Sequence, residues 1–173
     1  MTPGLALVLV ACLLAAASDL RTRRIPNTLV IGLFVCGLAA NTAAGWQHAL
    51  FDLAIVLLVL AVGTFAFSFK LIGGGDVKLV AAAAGTLGFP AAGAFILYTL
   101  LCGGVFGLAY SAMRGRLGST VANLRAIALP IFAGAAPARL QTGMAMPYAL
   151  AIFAGACLTA IARGFPPHLR LSW

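Results

Sequence analysis

The sequence predicts an all-α integral membrane protein, built as a bundle of about six transmembrane helices. Apolar residues make up 63% and charged residues 8% of its 173 positions, and its mean hydropathy is +1.10. A soluble domain carries roughly 25% charged residues. The apolar stretches approach the roughly 17 to 25 residues that a helix needs to cross a bilayer, and they lack the alternation of a membrane barrel. Connecting segments are short, so residues 1–173 are expected to form a single transmembrane domain.

Six apolar segments are predicted to cross the membrane, at residues 2–18, 28–45, 50–69, 77–88, 91–113 and 145–162. The fourth is short and rich in alanine, which predicts a helix packed inside the bundle. A further apolar segment, residues 126–138, is interrupted by Pro130, Gly134 and Pro137. We favour an interfacial or re-entrant placement for this segment over a full span, and the residues leave all three open.

The cations predict the orientation of the chain. Lys and Arg flank apolar segments and do not form a basic patch with interleaved aromatic residues, so no nucleic-acid partner is expected despite the net charge of +8. With the N-terminus outside, Arg163 and Arg170 fall outside. Nine cations then fall on the cytoplasmic side, namely Arg21, Arg23, Arg24, Lys70, Lys78, Arg114, Arg116, Arg125 and Arg139. Because cytoplasmic loops carry the excess of Lys and Arg, this distribution predicts an outside N-terminus.

Carboxylates occur at three positions only, Asp19, Asp52 and Asp76. Asp19 ends the first predicted span and Asp76 opens the fourth, so two crossings separate them and both fall on the cytoplasmic face. Two carboxylates at close range repel each other when both are ionised, so the pair holds one shared proton. One can activate a water while the other polarises a carbonyl, which is aspartyl proteolysis without a metal or cofactor. The cysteines form no Cys-x-x-Cys pair, so neither a zinc site nor a disulfide framework is expected.

Three glycines, Gly73, Gly74 and Gly75, precede Asp76. Because they lack a Cβ, they are predicted to form irregular backbone that sets the geometry of the carboxylate and lets an extended substrate approach. The role of Lys78 stays open between charge balance, snorkelling to the interface and substrate contact. Asp52 is interpreted as a cap in the first turn of a helix that starts outside.

Three short motifs occur in order along the chain. They are Asp19 followed by Arg24-Ile25-Pro26-Asn27, then Gly73-Gly74-Gly75-Asp76-Val77-Lys78-Leu79, then Met146-Pro147-Tyr148-Ala149-Leu150-Ala151. A lone GxGD motif would be a weak signal, but this order and spacing resemble the prepilin peptidase family, the bacterial GxGD-type membrane aspartyl proteases. The resemblance covers nearly the whole chain.

The resemblance implies that Asp19 and Asp76 are the catalytic pair and that Gly73 and Gly75 are the glycines of the GxGD motif. It implies prepilins and related pseudopilins as substrates, cut at the cytoplasmic face of the bacterial plasma membrane between a short basic leader and an apolar helix. Full-length members carry a methyltransferase region with paired cysteines between the first two spans, where this sequence has only residues 19–27. The chain therefore resembles the short, peptidase-only form associated with tight-adherence (Flp-type) pili. The lipid bilayer is its other expected partner, and its oligomeric state stays open.

Other functions fit the sequence less well. A GxGD intramembrane protease of the signal-peptide-peptidase or presenilin type carries its first aspartate in a Tyr-Asp pair, whereas Ser18 precedes Asp19 here. A small proton-coupled transporter would use carboxylates as a proton relay, but no acidic residue is predicted at the midplane. A non-catalytic assembly subunit would tolerate loss of both aspartates. The leader peptidase is therefore the favoured hypothesis.

Overall fold

The computed structural model of the chain describes residues 2–43, 45–68, 72–115, 117–118, 122 and 148–164. Its helices are α1 (Pro3–Thr22), α2 (Asn27–Thr42), α3 (Trp46–Ser68), α4 (Gly74–Leu87), α5 (Ala91–Met113) and α6 (Ala149–Gly164). No strand occurs within these ranges. The predicted all-α class is therefore confirmed for the part of the chain that the structure describes.

Three helices, α1, α3 and α5, are long and apolar enough to cross a membrane. Helices α2 and α6 are apolar but have 16 residues each, and α4 has 14. Each of the six predicted spans overlaps one of these helices, and the number that cross the bilayer stays a prediction. The segment 126–138 lies outside the described residues, as do Lys70, Arg116, Arg125, Arg139 and Arg170.

Helix α4 is the centre of the bundle, since it contacts each of the other five helices named above. Eight of its fourteen residues are buried, and Ala81–Ala84 are at most 3% exposed. Small side chains let neighbouring helices approach closely. At Gly37 of α2, for example, a Cβ would overlap the side chain of Thr86. The predicted interior placement of the fourth segment is confirmed.

Helix α3 has the opposite character and lies at the outside of the bundle. Only three of its 23 residues are buried. Large apolar side chains are exposed along its length, among them Phe51 at 72% and Leu58 at 65% exposure. A contiguous apolar face of this kind is rare on a soluble monomer, whereas it suits a helix in contact with lipid.

The turn between α1 and α2 brings the chain back to the start of α4. Arg23 adopts the left-handed conformation (φ 52°), and its N–H donates to the carbonyl of Asp19 at 2.9 Å, which ends α1. Pro26 then precedes the first residue of α2. Between these points Ile25 lies against Gly75, where a Cβ would be 3.4 Å from the Ile25 Cβ. The motif that follows Asp19 therefore meets the glycine-rich stretch.

Candidate active site

Asp19 lies in the last turn of α1 and is 9% exposed. Its Oδ2 accepts a hydrogen bond from the backbone N–H of Ala149 at 3.4 Å. Ala149 is the first residue of α6, and the N–H groups at the start of a helix have no partner within that helix. The positive end of α6 therefore faces this carboxylate.

Asp76 is the third residue of α4, and Gly73 is the N-cap of that helix. The Asp76 carboxylate accepts a hydrogen bond from the backbone N–H of Gly73. This is one of the two hydrogen bonds of a capping box, the one between the N3 side chain and the N-cap backbone. Asp76 also interacts electrostatically with Asp19. The structure thus places the two carboxylates together at one end of the bundle, as the count of crossings predicted, and their catalytic role stays a prediction.

The electrostatics of Asp76 follow from this placement. The residue lies in the first turn of α4, outside the three helices that are long and apolar enough to span a membrane. Burial raises the pKa of Asp76 to about 7, with a further contribution from the charge of Asp19, against the lowering effect of the hydrogen bond from Gly73. Asp76 can therefore hold a proton near neutral pH.

The glycine-rich stretch differs from its prediction. Gly74 and Gly75 are the first two residues of α4, so the irregular backbone is shorter than predicted. Gly73 has φ −71°, a value open to any residue. The prediction that special backbone conformations explain these glycines is therefore wrong at these positions. What Gly73 provides is space, because a Cβ there would lie 2.6 Å from Asp76 Oδ2.

The start of α6 also belongs to the site, although the sequence analysis gave it no chemical role. Tyr148 interacts electrostatically with Asp76 and packs against Gly103 of α5, where a Cβ would overlap its hydroxyl. The next backbone N–H is the donor to Asp19. A proline at position 147 just before an apolar run is a helix-start signal. That signal could have located this helix end but not its contact with a carboxylate.

An apolar cavity of about 280 Å³ lies between α3, α4, α5 and Tyr148, and its lining includes neither Asp19 nor Asp76. Val77, which directly follows Asp76, lines it together with Ile72 and Tyr148. The remaining lining comes chiefly from apolar side chains of α3 and α5. A concave apolar surface next to polar groups is the usual form of a ligand site.

Two further charged residues lie elsewhere. Lys78 is exposed and lines a different cavity, of about 450 Å³, between α2, α3 and α4. Because it is two residues from Asp76, it projects from a different face of α4.

Asp52 is not in the first turn of its helix, so the cap interpretation is wrong. It is the seventh residue of α3, is 8% exposed, and accepts a hydrogen bond from Asn41.

Two interacting carboxylates at one end of an apolar helical bundle define this chain as a membrane protein with a candidate hydrolytic site. Within the described ranges, no group of three His, Cys, Asp or Glu residues could hold a metal ion. The model of the type IV leader peptidase family matches residues 6–108, which is more than half of the chain and includes Asp19 and Asp76. The chain therefore belongs to the type IV leader peptidase family, and this membership indicates a peptidase of that type. Comparisons with curated proteins and with solved structures gave no significant match.

Proposed function

We propose that this protein is a membrane aspartyl endopeptidase that removes the leader peptide from type IV prepilins. Membership of the family indicates the peptidase activity. The observation that carries the assignment of the site is the electrostatic interaction between Asp19 and Asp76, which come from two different helices. In this proposal the two aspartates are the catalytic pair, and water is the nucleophile.

The surroundings of the two carboxylates support different roles for them. The N–H at the start of α6 donates a hydrogen bond to Asp19, whereas a pKa of about 7 lets Asp76 carry the shared proton. Asp19 accepts a proton from the attacking water as the water oxygen adds to the scissile carbonyl carbon. Asp76 donates its proton to the carbonyl oxygen at the same time. General acid and base steps of this kind each contribute about 10² to 10⁴ in rate.

Collapse of the resulting gem-diol completes the reaction. The proton on Asp19 passes to the amide nitrogen, the C–N bond breaks, and the new amine leaves. One hydroxyl of the gem-diol returns its proton to Asp76 as the carboxylic acid forms. Both aspartates then have their starting protonation states, so the cycle consumes only water and the peptide bond.

The apolar cavity supports a substrate with an apolar segment next to the cleaved bond. Val77, which follows Asp76 in the sequence, and Tyr148, which interacts electrostatically with Asp76, both line this cavity. The prepilin helix would pack there from within the bilayer, and the leader would lie at the bundle end. Lys78 is exposed on another face of α4. We keep it as a residue that balances charge or contacts the substrate.

We place the active end at the cytoplasmic face of the bacterial plasma membrane, with the N-terminus outside and six spans, the fourth of which begins after Asp76, at residue 77. Arg21 lies in the last turn of α1, and Arg114 follows α5, so both share the bundle end of Asp76. Arg163 lies in the last turn of α6, at the opposite end. The few residues between α1 and α2, 23–26, support the single-domain, peptidase-only form that processes Flp-type prepilins.

Co-expression with a prepilin that carries a basic leader tests this function. Asp19→Asn and Asp76→Asn are each expected to lower the rate of leader removal by more than about 10³-fold, because each removes one member of a unit that works only when complete. Both variants should still insert into the membrane and elute from a size-exclusion column at the same volume as the wild type. Arg163→Gln, which removes an exposed charge at the far end of α6, is the control and should cleave normally. Normal cleavage by both aspartate variants would refute the proposal.

A further inference from the structure

Asp52 lies at the end of the bundle opposite Asp19 and Asp76. It sits in the second turn of α3, beside the C-terminal turns of α2 and α4. Asp76 and Gly85 are nine positions apart on α4, which corresponds to roughly 14 Å along the helix. An ionisable residue buried within a predicted membrane span needs a functional explanation, and the proposed peptidase chemistry does not use this one.

Only neutral groups hydrogen-bond Asp52 in the part of the chain that the structure describes. Asn41 Nδ2 donates to Asp52 Oδ2 at 2.7 Å and to the carbonyl of Gly85 at 3.2 Å. His48, one turn earlier on α3, interacts electrostatically with Asp52 without forming an ion pair among the described residues. A buried carboxylate without a paired cation is costly. A cation bound next to it would therefore be stabilised.

A cavity of about 630 Å³ lies directly beside this carboxylate. Its polar lining consists of Asn41, His48 and Asp52, and its apolar lining includes Phe51 and Phe89. The two phenylalanines are 72% and 80% exposed and stand at its outer edge. A carboxylate and two aromatic rings that line one cavity are a combination that can bind an organic ammonium group.

Gly88 keeps the second carboxylate oxygen accessible. It follows the last residue of α4 with φ +63°, and a Cβ on it would lie 2.9 Å from Asp52 Oδ1. Any other residue would be strained in this conformation and would crowd that oxygen. Oδ2 is taken by Asn41, so Oδ1 is the acceptor that a ligand can reach.

We propose that this cavity binds the primary ammonium headgroup of a bilayer lipid of the phosphatidylethanolamine type, with Asp52 as its charge partner. A primary ammonium has three N–H donors, which can bond Asp52 Oδ1 while its charge lies near the aromatic rings. A choline headgroup has no such donor. A lipid is the source because Phe51 belongs to the exposed apolar surface of α3, together with Leu50 and Leu57, which places the cavity mouth next to acyl chains.

Native mass spectrometry of the purified protein tests this proposal by counting retained lipids. Phosphatidylethanolamine and phosphatidylcholine with identical acyl chains are titrated in parallel, and free ethanolamine forms a third arm. The wild type is expected to retain phosphatidylethanolamine about tenfold more strongly than phosphatidylcholine, since a hydrogen bond to a charged group is lost with choline. Free ethanolamine should not compete at equal concentration.

Variants assign the binding to the cavity. Asp52→Asn keeps the size of the side chain and removes its charge, so it should abolish the preference between the two lipids. Phe51→Leu, at a position that is 72% exposed, should weaken the preference several-fold. Phe67→Leu, at the other end of the same helix and 50% exposed, is the matched control and should leave it unchanged. Equal retention of both lipids by the wild type would overturn the proposal, as would an undiminished preference in Asp52→Asn. Competition by free ethanolamine would overturn the lipid as the source.

Discussion

The backbone N–H of Ala149 donates to Oδ2 of Asp19 at 3.4 Å, across 130 positions of sequence. This bond sets the start of α6 against the last turn of α1, beside the first turn of α4 that carries Asp76. Helix α6 lies beyond the segment that matches the family model, residues 6–108. The C-terminal part of the chain therefore contributes to the environment of the carboxylates.

Removal of that donor is expected to slow cleavage without breaking the helix. Ala149→Pro deletes the N–H at the first position of α6, where the helix backbone accepts proline. Because Ala149 is fully buried, the comparison uses only variant protein with a wild-type Tm. At 3.4 Å the bond is longer than the usual range of about 2.7 to 3.2 Å, so its loss should slow leader removal by about three- to tenfold. Ala149→Gly keeps the donor and serves as the control. Both variants are compared as protein that elutes from a size-exclusion column at the wild-type volume. Equal cleavage rates for the two would show that this bond does not matter for catalysis.

Activity is expected to fall as the pH rises through about 7. The pKa of Asp76 is raised to about 7 by burial and by Asp19, so above this pH Asp76 loses the proton that it donates in the proposed mechanism. The rate kcat/KM should then decrease by up to about tenfold per pH unit on the alkaline side. The measurement is a pH profile from 5 to 9 with a leader-bearing peptide in detergent. A rate that stays constant to pH 9 would contradict this role.

Neighbouring glycines should respond differently to the same substitution. Gly73→Ala places a Cβ 2.6 Å from Asp76 Oδ2, so the carboxylate must move and the cleavage rate should fall by about 10²-fold or more. Gly74→Ala meets only Phe67, at 3.5 Å, and should cost at most a few-fold. Cleavage rates measured with saturating substrate distinguish the effects of the two substitutions. Equal losses would mean that the glycines matter for the backbone and not for space beside Asp76.

Close packing around α4 predicts a stability difference on α2. Gly37→Ala would overlap Thr86, and overpacking of this kind costs about 1 to 3 kcal/mol. Gly32→Ala, on the same helix, meets nothing within 4 Å and should be neutral or slightly stabilising. Thermal unfolding in detergent should show a lower Tm for Gly37→Ala alone. Similar Tm values for both variants would argue against the tight α2–α4 contact.

Much of the fold follows from hydrophobicity alone. The apolar segments and their breaks predicted each of the six helices α1 to α6, because a chain in lipid must satisfy its backbone hydrogen bonds internally and does so as helices. The alanine-rich segment at 81–85 predicted the interior position of α4, since only small side chains permit such close contact on all sides. The restriction of carboxylates to three positions and an even number of crossings predicted that Asp19 and Asp76 share a bundle end.

Interactions between distant segments were decided by the tertiary structure. The sequence placed Asp52 in a cap, whereas packing of α2 and α4 against α3 buries it and gives it Asn41 as a partner. The sequence predicted that the glycines permit an irregular backbone. In the structure, Gly73 is needed because the Asp76 carboxylate leaves no room for a Cβ there. The donor at Ala149 could not be foreseen either, because hydropathy fixes where a helix runs but not its rotation or depth. Those depend on side chains that meet only when the bundle is assembled.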